Sequence, residues 1–284
     1  MKIYGIDVSH HQGDVDWRRT AAELRRVNGE NNPGFAILRA GYSARHGKGG
    51  LYADGQILDN IAGCEKHGVP MGIYFYSYDE SPEAAKRTAQ QVLGLIKGHR
   101  FGYPIYLDME YEPFNTGREK IDGKRYPRKR SRQEVRDTNT AMIRAALEEF
   151  ERAGYYAAVY CSCDFFQSYT NLGQLAGFDK WEAAYTARDT DAVENGLWQY
   201  SSSNPLRIAG FGDRLDCDVA YKDYPAIMAA AGLNGYPAGS DTHPEMLYTL
   251  TVGPMTAGDR NTIKSAADKL ALPCTEEAQP VTEV

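Results

Sequence analysis

Apolar residues recur in short, dense runs along this chain, and the runs are separated by stretches with helical periodicity. Eight runs read as strands: Ile3–Val8, Phe35–Ala40, Met71–Tyr76, Tyr103–Leu107, Ala157–Cys161, Trp181–Tyr185, Leu197–Tyr200 and Leu215–Ala220. Most are apolar on successive residues, the pattern of a strand buried on both faces. Four helices fall between the earlier runs. Asp16 to Val27 opens on an acidic cap, Leu51 to His67 stops at Gly68, Ser81 to Lys97 opens with Ser-Pro and stops at Gly98, and Arg132 to Ala153 stops at Gly154.

The later connections are different. Residues 185–197 leave little room for a helix, and residues 200–215 hold Ser201-Ser202-Ser203-Asn204-Pro205 and Gly210-Phe211-Gly212, which read as turns. A parallel neighbour needs a crossover of about a dozen residues, so the last strands are expected to form an antiparallel meander. The fold class is α/β: a modified (β/α) barrel of eight strands with an incomplete helical layer on the late strands. It is expected to span residues 1–231. Residues 232–244, rich in Gly, Pro, Ser, Asp and Asn, read as a linker. Residues 245–284 then add a small C-terminal αβ unit, a strand over Met246–Gly253 and a helix over Ala257–Leu270. One strand and one helix cannot enclose a core, so this unit is expected to bind the same ligand as the barrel or to self-associate into a homo-oligomer.

Composition narrows the function. The 284 residues carry a net charge of -6, which gives no case for nucleic acid, and no run is long enough to span a membrane. The chain enters its first strand at once, without a basic start, apolar run and cleavage site. It is therefore expected to be made in the cytoplasm without a signal peptide. Cys64, Cys161, Cys163, Cys217 and Cys274 are odd in number and irregularly spaced, which suits free thiols better than disulfides or zinc. His10 and His11 lack further ligands at metal spacing and are read as loop hydrogen-bonding groups, so no metal or cofactor is expected.

The candidate chemistry starts at Tyr103-Pro104-Ile105-Tyr106-Leu107-Asp108-Met109-Glu110. Asp108 and Glu110 are two apart and share one side of the strand. Neighbouring carboxyls drive their proton affinities apart, so one can stay protonated while the other stays charged, as glycosidic cleavage requires. A strand end with solvated acids is the plain alternative. Asp7 and Asp216 lie at or near strand ends as well, where barrels place catalytic groups. Asp218 shares a face with Asp216 and is read as structural.

Gly5-Ile6-Asp7-Val8-Ser9-His10-His11-Gln12-Gly13, Tyr106-Leu107-Asp108-Met109-Glu110, Leu197-Trp198-Gln199-Tyr200-Ser201 and Leu215-Asp216-Cys217-Asp218-Val219-Ala220 occur in this order. Together they resemble the glycoside hydrolase family 25 muramidases, the Chalaropsis-type lysozymes, over roughly residues 1–228. The resemblance implies a modified barrel and cleavage of the β-1,4 bond between N-acetylmuramic acid and N-acetylglucosamine in bacterial peptidoglycan. It makes Glu110 the general acid. Asp7 and Asp108 supply the negative field, with Asp108 acting either as nucleophile or as helper of the substrate's acetamido group, and Asp216 orients the others. It implies aromatic contacts to the saccharide, for which Tyr76, Tyr185 and Trp198 are preferred and Arg39, Tyr42 and Gln199 follow. The setting it implies is a phage-type endolysin that reaches the wall after release, with an exported bacterial autolysin second. A non-catalytic wall-binding module and a hydrolase of another amino-sugar polymer are the competing readings. Residues 117–132 are an added basic stretch, with Arg118, Lys120, Lys124, Arg125, Arg128, Lys129, Arg130 and Arg132 against Glu119 and Asp122. They are either a solvated loop or an attractant for anionic wall polymers.

Overall fold

The computed structural model describes residues 2–45, 49–117, 120–121, 124–125, 130–186, 189 and 193–237. In chain order the elements are β1 (Ile3–Val8), α1 (Trp17–Asn28), β2 (Phe35–Ser43), β3 (Leu51–Ala53), α2 (Ile57–His67), β4 (Met71–Tyr76), α3 (Pro82–Ile96), β5 (Ile105–Asp108), β6 (Lys120–Ile121), β7 (Lys124–Arg125), α4 (Arg132–Arg152), β8 (Ala157–Ser162), α5 (Cys163–Tyr169), β9 (Asp179–Ala183), β10 (Leu197–Ser201), β11 (Asp216–Ala220) and α6 (Tyr224–Ala231).

Eight strands close on themselves in the order β1, β11, β10, β9, β8, β5, β4, β2, with β2 pairing back to β1. Each expected strand run corresponds to one barrel strand. The pairings β1–β2–β4–β5–β8–β9–β10 are parallel, and β11 runs antiparallel to both β10 and β1. The expected meander is thus confined to one strand. β9 and β10 are parallel because residues 184–196 are long enough to carry the chain back across the barrel end.

The helices start and stop where local chemistry satisfies their end groups. Asp16 accepts the Arg19 amide, Ser81 accepts the Ala84 amide ahead of Pro82, and Ser131 and Glu134 cap each other reciprocally. α2 begins later than its sequence pattern suggests, because Leu51–Ala53 pairs antiparallel with the end of β2 as a ninth strand outside the barrel. Gly41 permits this approach. It adopts φ +154, and a Cβ there would run into the Tyr52 carbonyl.

Two apolar layers result. Ile6, Val8, Leu38, Ile73, Phe75, Leu107 and Val159 point outward against Leu24, Ile61, Val92, Ile143, Leu147 and Phe150 of the helices. Phe35, Ile37, Tyr103, Tyr106, Trp181 and Leu197 fill the barrel together with Tyr224 and Met228 of α6. The expected linker begins inside this structure rather than beyond it. Asn234 is fully buried, accepts the Tyr156 amide at 2.7 Å and donates to the Tyr103 carbonyl at 2.8 Å. Its own amide and carbonyl bond Gly154 and Phe101.

Two compact units divide the chain, Met1–Thr242 and His243–Val284. The expected strand over 246–253 and helix over 257–270 fall in the second, outside the described residues. Cys64, Cys161 and Cys217 are buried free thiols, Cys163 is partly buried, and Cys274 lies outside the described residues. Among the described residues, no helix is long and apolar enough to cross a membrane.

Candidate active site

One end of the barrel gathers the acids. Asp7 is the penultimate residue of β1, and Asp216 opens β11 directly opposite it in the antiparallel register. Asp108 ends β5, flanked by Tyr76 of β4 and Tyr160 of β8, and Glu110 follows two residues on. Asp218, one interior position deeper on β11, pairs with Gln199 of β10 and with Gly5.

The floor beneath them is aromatic. Trp181 is in edge contact with Tyr74, Tyr106 and Tyr160, with ring centroids 5.9, 5.1 and 4.6 Å away. Its indole nitrogen donates to Asp218 Oδ1 at 2.8 Å. Gln199 links the acids to the wall. Its amide nitrogen donates to Asp7 Oδ2 at 2.8 Å, and its carbonyl oxygen accepts from the Tyr160 and Tyr185 hydroxyls at 2.9 and 3.0 Å.

A low-dielectric floor penalises charge, and each carboxylate also feels the others. Burial pushes Asp7 well above the usual carboxylate range, and Asp218, Asp216 and Asp108 add to the effect. Burial and Asp216 raise Asp218, while a hydrogen bond from Asp7 works the other way. Burial and Glu110 raise Asp108, opposed by the Arg39 guanidinium. Glu110 is raised by partial burial, then by Glu112 and Asp216. Burial lifts Asp216 to about 6. One oxygen of Asp108, Oδ1, is buried without a hydrogen-bond partner among the described residues, leaving an acceptor aimed into the site.

Arg39 donates to Asp54 Oδ2 at 2.8 Å, and the same oxygen accepts from the His10 amide at 3.1 Å. The His10 ring contacts both Asp54 and Arg39. The loop after β1 is further tied by a reciprocal cap between Ser9 and Gln12. His10 thus serves the loop hydrogen bonding expected of it. No group of three or more His, Cys, Asp or Glu suited to a metal occurs among the described residues.

The expected contacts divide into two sets. Arg39, Tyr76, Tyr185 and Gln199 stand with the acids, and Tyr42 sits farther out on the rim, 39% exposed. Trp198 does not join them. It alternates with Leu197 and Gln199, so it faces the outer side of β10, where its indole donates to the Ala184 carbonyl and its ring packs on Tyr200. Both faces of β10 are buried, so apolar pattern alone could not assign the parity. Sequence reasoning missed Glu112, which accepts from the Tyr76 hydroxyl at 2.9 Å. It also gave Asp218 no role in the acid cluster. Counting by twos from Asp216 and from Glu110 reaches both.

Half of the basic stretch, residues 118–119, 122–123 and 126–129, lies outside the described residues. β6 and β7 pair antiparallel within it. Arg130 folds back onto Phe114, its guanidinium 3.9 Å from the ring centroid.

Residues 6–208 match the sequence model of Glycosyl hydrolases family 25. Asp7, Asp108 and Glu110 fall inside the match, and Asp216 lies beyond it. Among solved structures, the chain is similar to the modular autolysin LytC from Streptococcus pneumoniae, with 27% identity, a TM-score of 0.59, and 78% of this chain and 47% of that one covered. It therefore spans about half of LytC. It shares its fold with a family 25 glycosyl hydrolase from Bacillus anthracis, at 22% identity and TM-score 0.55, covering 78% of this chain and 89% of that one. The bacterial lysozyme from Streptomyces coelicolor has the same fold, at 19% identity and TM-score 0.55, covering 78% and 92%. No curated protein matches the chain.

Proposed function

This chain belongs to the glycosyl hydrolases of family 25, and on that premise we propose that it is an N-acetylmuramidase of bacterial peptidoglycan. It would hydrolyse the β-1,4 bond between N-acetylmuramic acid and N-acetylglucosamine and so lyse the wall. The observation that carries the reading is Glu110 held among Asp7, Asp108 and Asp216 at the open end of the barrel. Burial and the neighbouring carboxylates keep its proton at a pH where a solvated glutamate would have lost it.

In this reading Glu110 gives that proton to the glycosidic oxygen. The bond from that oxygen to the muramic acid C1 breaks, its electron pair stays on the oxygen, and the N-acetylglucosamine hydroxyl leaves. Positive charge develops at C1. Asp7 and Asp108 face it, Asp108 with a buried oxygen that no protein donor occupies. A water completes the reaction at C1, returning a proton to Glu110. Gln199 holds Asp7 by its hydrogen bond, and the Arg39 guanidinium, fixed by Asp54, acts on Asp108 through space.

The solved relatives include a modular autolysin and endolysins, one of them from a bacteriophage of Listeria monocytogenes. This supports a setting in which the enzyme acts on the bacterial wall after release from the cell that makes it.

Mass spectrometry of purified peptidoglycan digested with the wild type and with Glu110→Gln tests the proposal. Disaccharide peptides with N-acetylmuramic acid at the new reducing end are expected from the wild type. The variant should be slower by roughly 10²–10⁴-fold. N-acetylglucosamine at the new reducing end, or equal products from both proteins, would refute it.

A further inference from the structure

Beyond the acids, the rim between β2, β3 and the end of β4 carries a group of open rings. Tyr42 and Tyr52 are direct cross-strand partners, stacked 5.5 Å apart, and are 39% and 59% exposed. Tyr78 meets Tyr42 edge-on at 6.1 Å and lies 4.8 Å from Tyr76. Tyr76 bonds Glu112, the neighbour of Glu110. The rings therefore form a continuous track from beside the general acid out to Tyr52.

A cation stands on this track. The Arg45 guanidinium lies 4.5 Å from the centroid of the Tyr78 ring and donates to its hydroxyl at 3.2 Å. Arg45 enters no ion pair among the described residues, and the nearest opposing charge, Glu112, acts on it only through space.

The rim is built rather than incidental. Ser43 accepts the Tyr78 amide at 2.6 Å, and Asp79, buried, is held by Thr88 of α3 at 3.0 Å. Gly41 is the residue that lets β3 close onto β2. Rings exposed to this degree add little core burial, so folding alone gives weak reason to display them. A flat apolar face beside an unpaired guanidinium suits a ligand with an apolar sugar face and a carboxylate.

We propose that Tyr42, Tyr52, Tyr78 and Arg45 form a second station for the glycan strand, apart from the bond that is cut. The Tyr42–Tyr52 face takes a sugar ring of the same strand, and Arg45 takes a carboxylate of its peptide stem. This rests on the peptidoglycan reading and extends it: the enzyme grips a longer stretch of polymer than the two sugars it separates.

Tyr52→Ala and Arg45→Gln would be assayed on the shortest fragment that the wild type cuts and on long strands, with stems intact or removed. Tyr52→Ala should lower kcat/KM on long strands by about five-fold and on the shortest fragment by less than about two-fold. Arg45→Gln should lose about five-fold on long stem-bearing strands and little on stripped ones. Equal losses on every substrate, or none on any, would overturn the station. Titration of long strands into Glu110→Gln, with and without Tyr52→Ala, reads binding without turnover. If the wild type cuts nothing but Tyr52→Ala still weakens that binding, the muramidase reading fails and the station stands. If the wild type cuts and the binding is unchanged, the station fails alone.

Discussion

Burial first and the Glu112 charge second raise the proton affinity of Glu110, the proposed general acid. Glu112→Gln removes that charge and lowers the affinity of Glu110 for its proton. Activity needs Glu110 protonated, so the alkaline limb of the kcat/KM profile should move to lower pH while the mass of the products stays the same. Asp216 gives a second prediction, this time for stability. Its carboxyl titrates at about 6 in the fold, against about 3.8 when exposed. Below the lower value both states hold the proton and there is no difference. Between the two, the unfolded chain releases its proton first, so stability falls as pH rises, and the full penalty is present above pH 6. Asp216→Asn should therefore raise unfolding stability at pH 7 by up to about 2 kcal/mol and change nothing near pH 3.5, while activity is lost. Differential scanning calorimetry at the two pH values checks it. The acids gathered at the barrel end were legible in sequence because each sits in a motif at or near a strand end. Glu112 and Asp218 lie two residues beyond Glu110 and Asp216, but spacing alone did not show the Tyr76 hydroxyl and Trp181 indole that reach them from other strands.

At the scale of elements, the barrel depends on close approaches that only glycine permits. Gly5 lies on β1 two residues before Asp7, and a Cβ there would enter the Phe35 ring, which is itself stacked on Tyr103 at 4.3 Å. Gly5→Ala should cost about 1–3 kcal/mol through overpacking, read as a lower urea midpoint with unchanged slope. Runs of apolar residues made the eight barrel strands legible, and caps such as Ser81-Pro82 fixed helix starts to within a residue. β3 was hidden because three residues on an edge carry no periodicity. The parallel pairing of β9 and β10 was hidden because the sequence between them shows no helical pattern and reads as a long turn. Trp198 was misplaced for a related reason: when both faces of a strand are buried, alternation no longer says which face is which.

The barrel closes by pairing its first strand with its last. Composition placed a domain boundary at 231, but the tether that finishes the barrel lies just past it. Asn234 makes four hydrogen bonds to the segments that begin β5 and β8, in a left-handed backbone conformation (φ 54) that asparagine tolerates. A chain ending at 231 should be less stable than one ending at 242 by about 3 kcal/mol or more, because buried backbone groups lose their partners. Thermal unfolding of the two truncations would show this, and equal midpoints would contradict it. The seam between β1 and β11 also bears on biosynthesis. Asp7 lies on the first barrel strand and leaves the ribosome long before Asp216, which must stand opposite it on the last. A nascent or prematurely terminated chain that stops short of that strand has neither a closed barrel nor a complete set of acids. The catalyst comes into being only when translation of the barrel is finished, so abandoned fragments are inert.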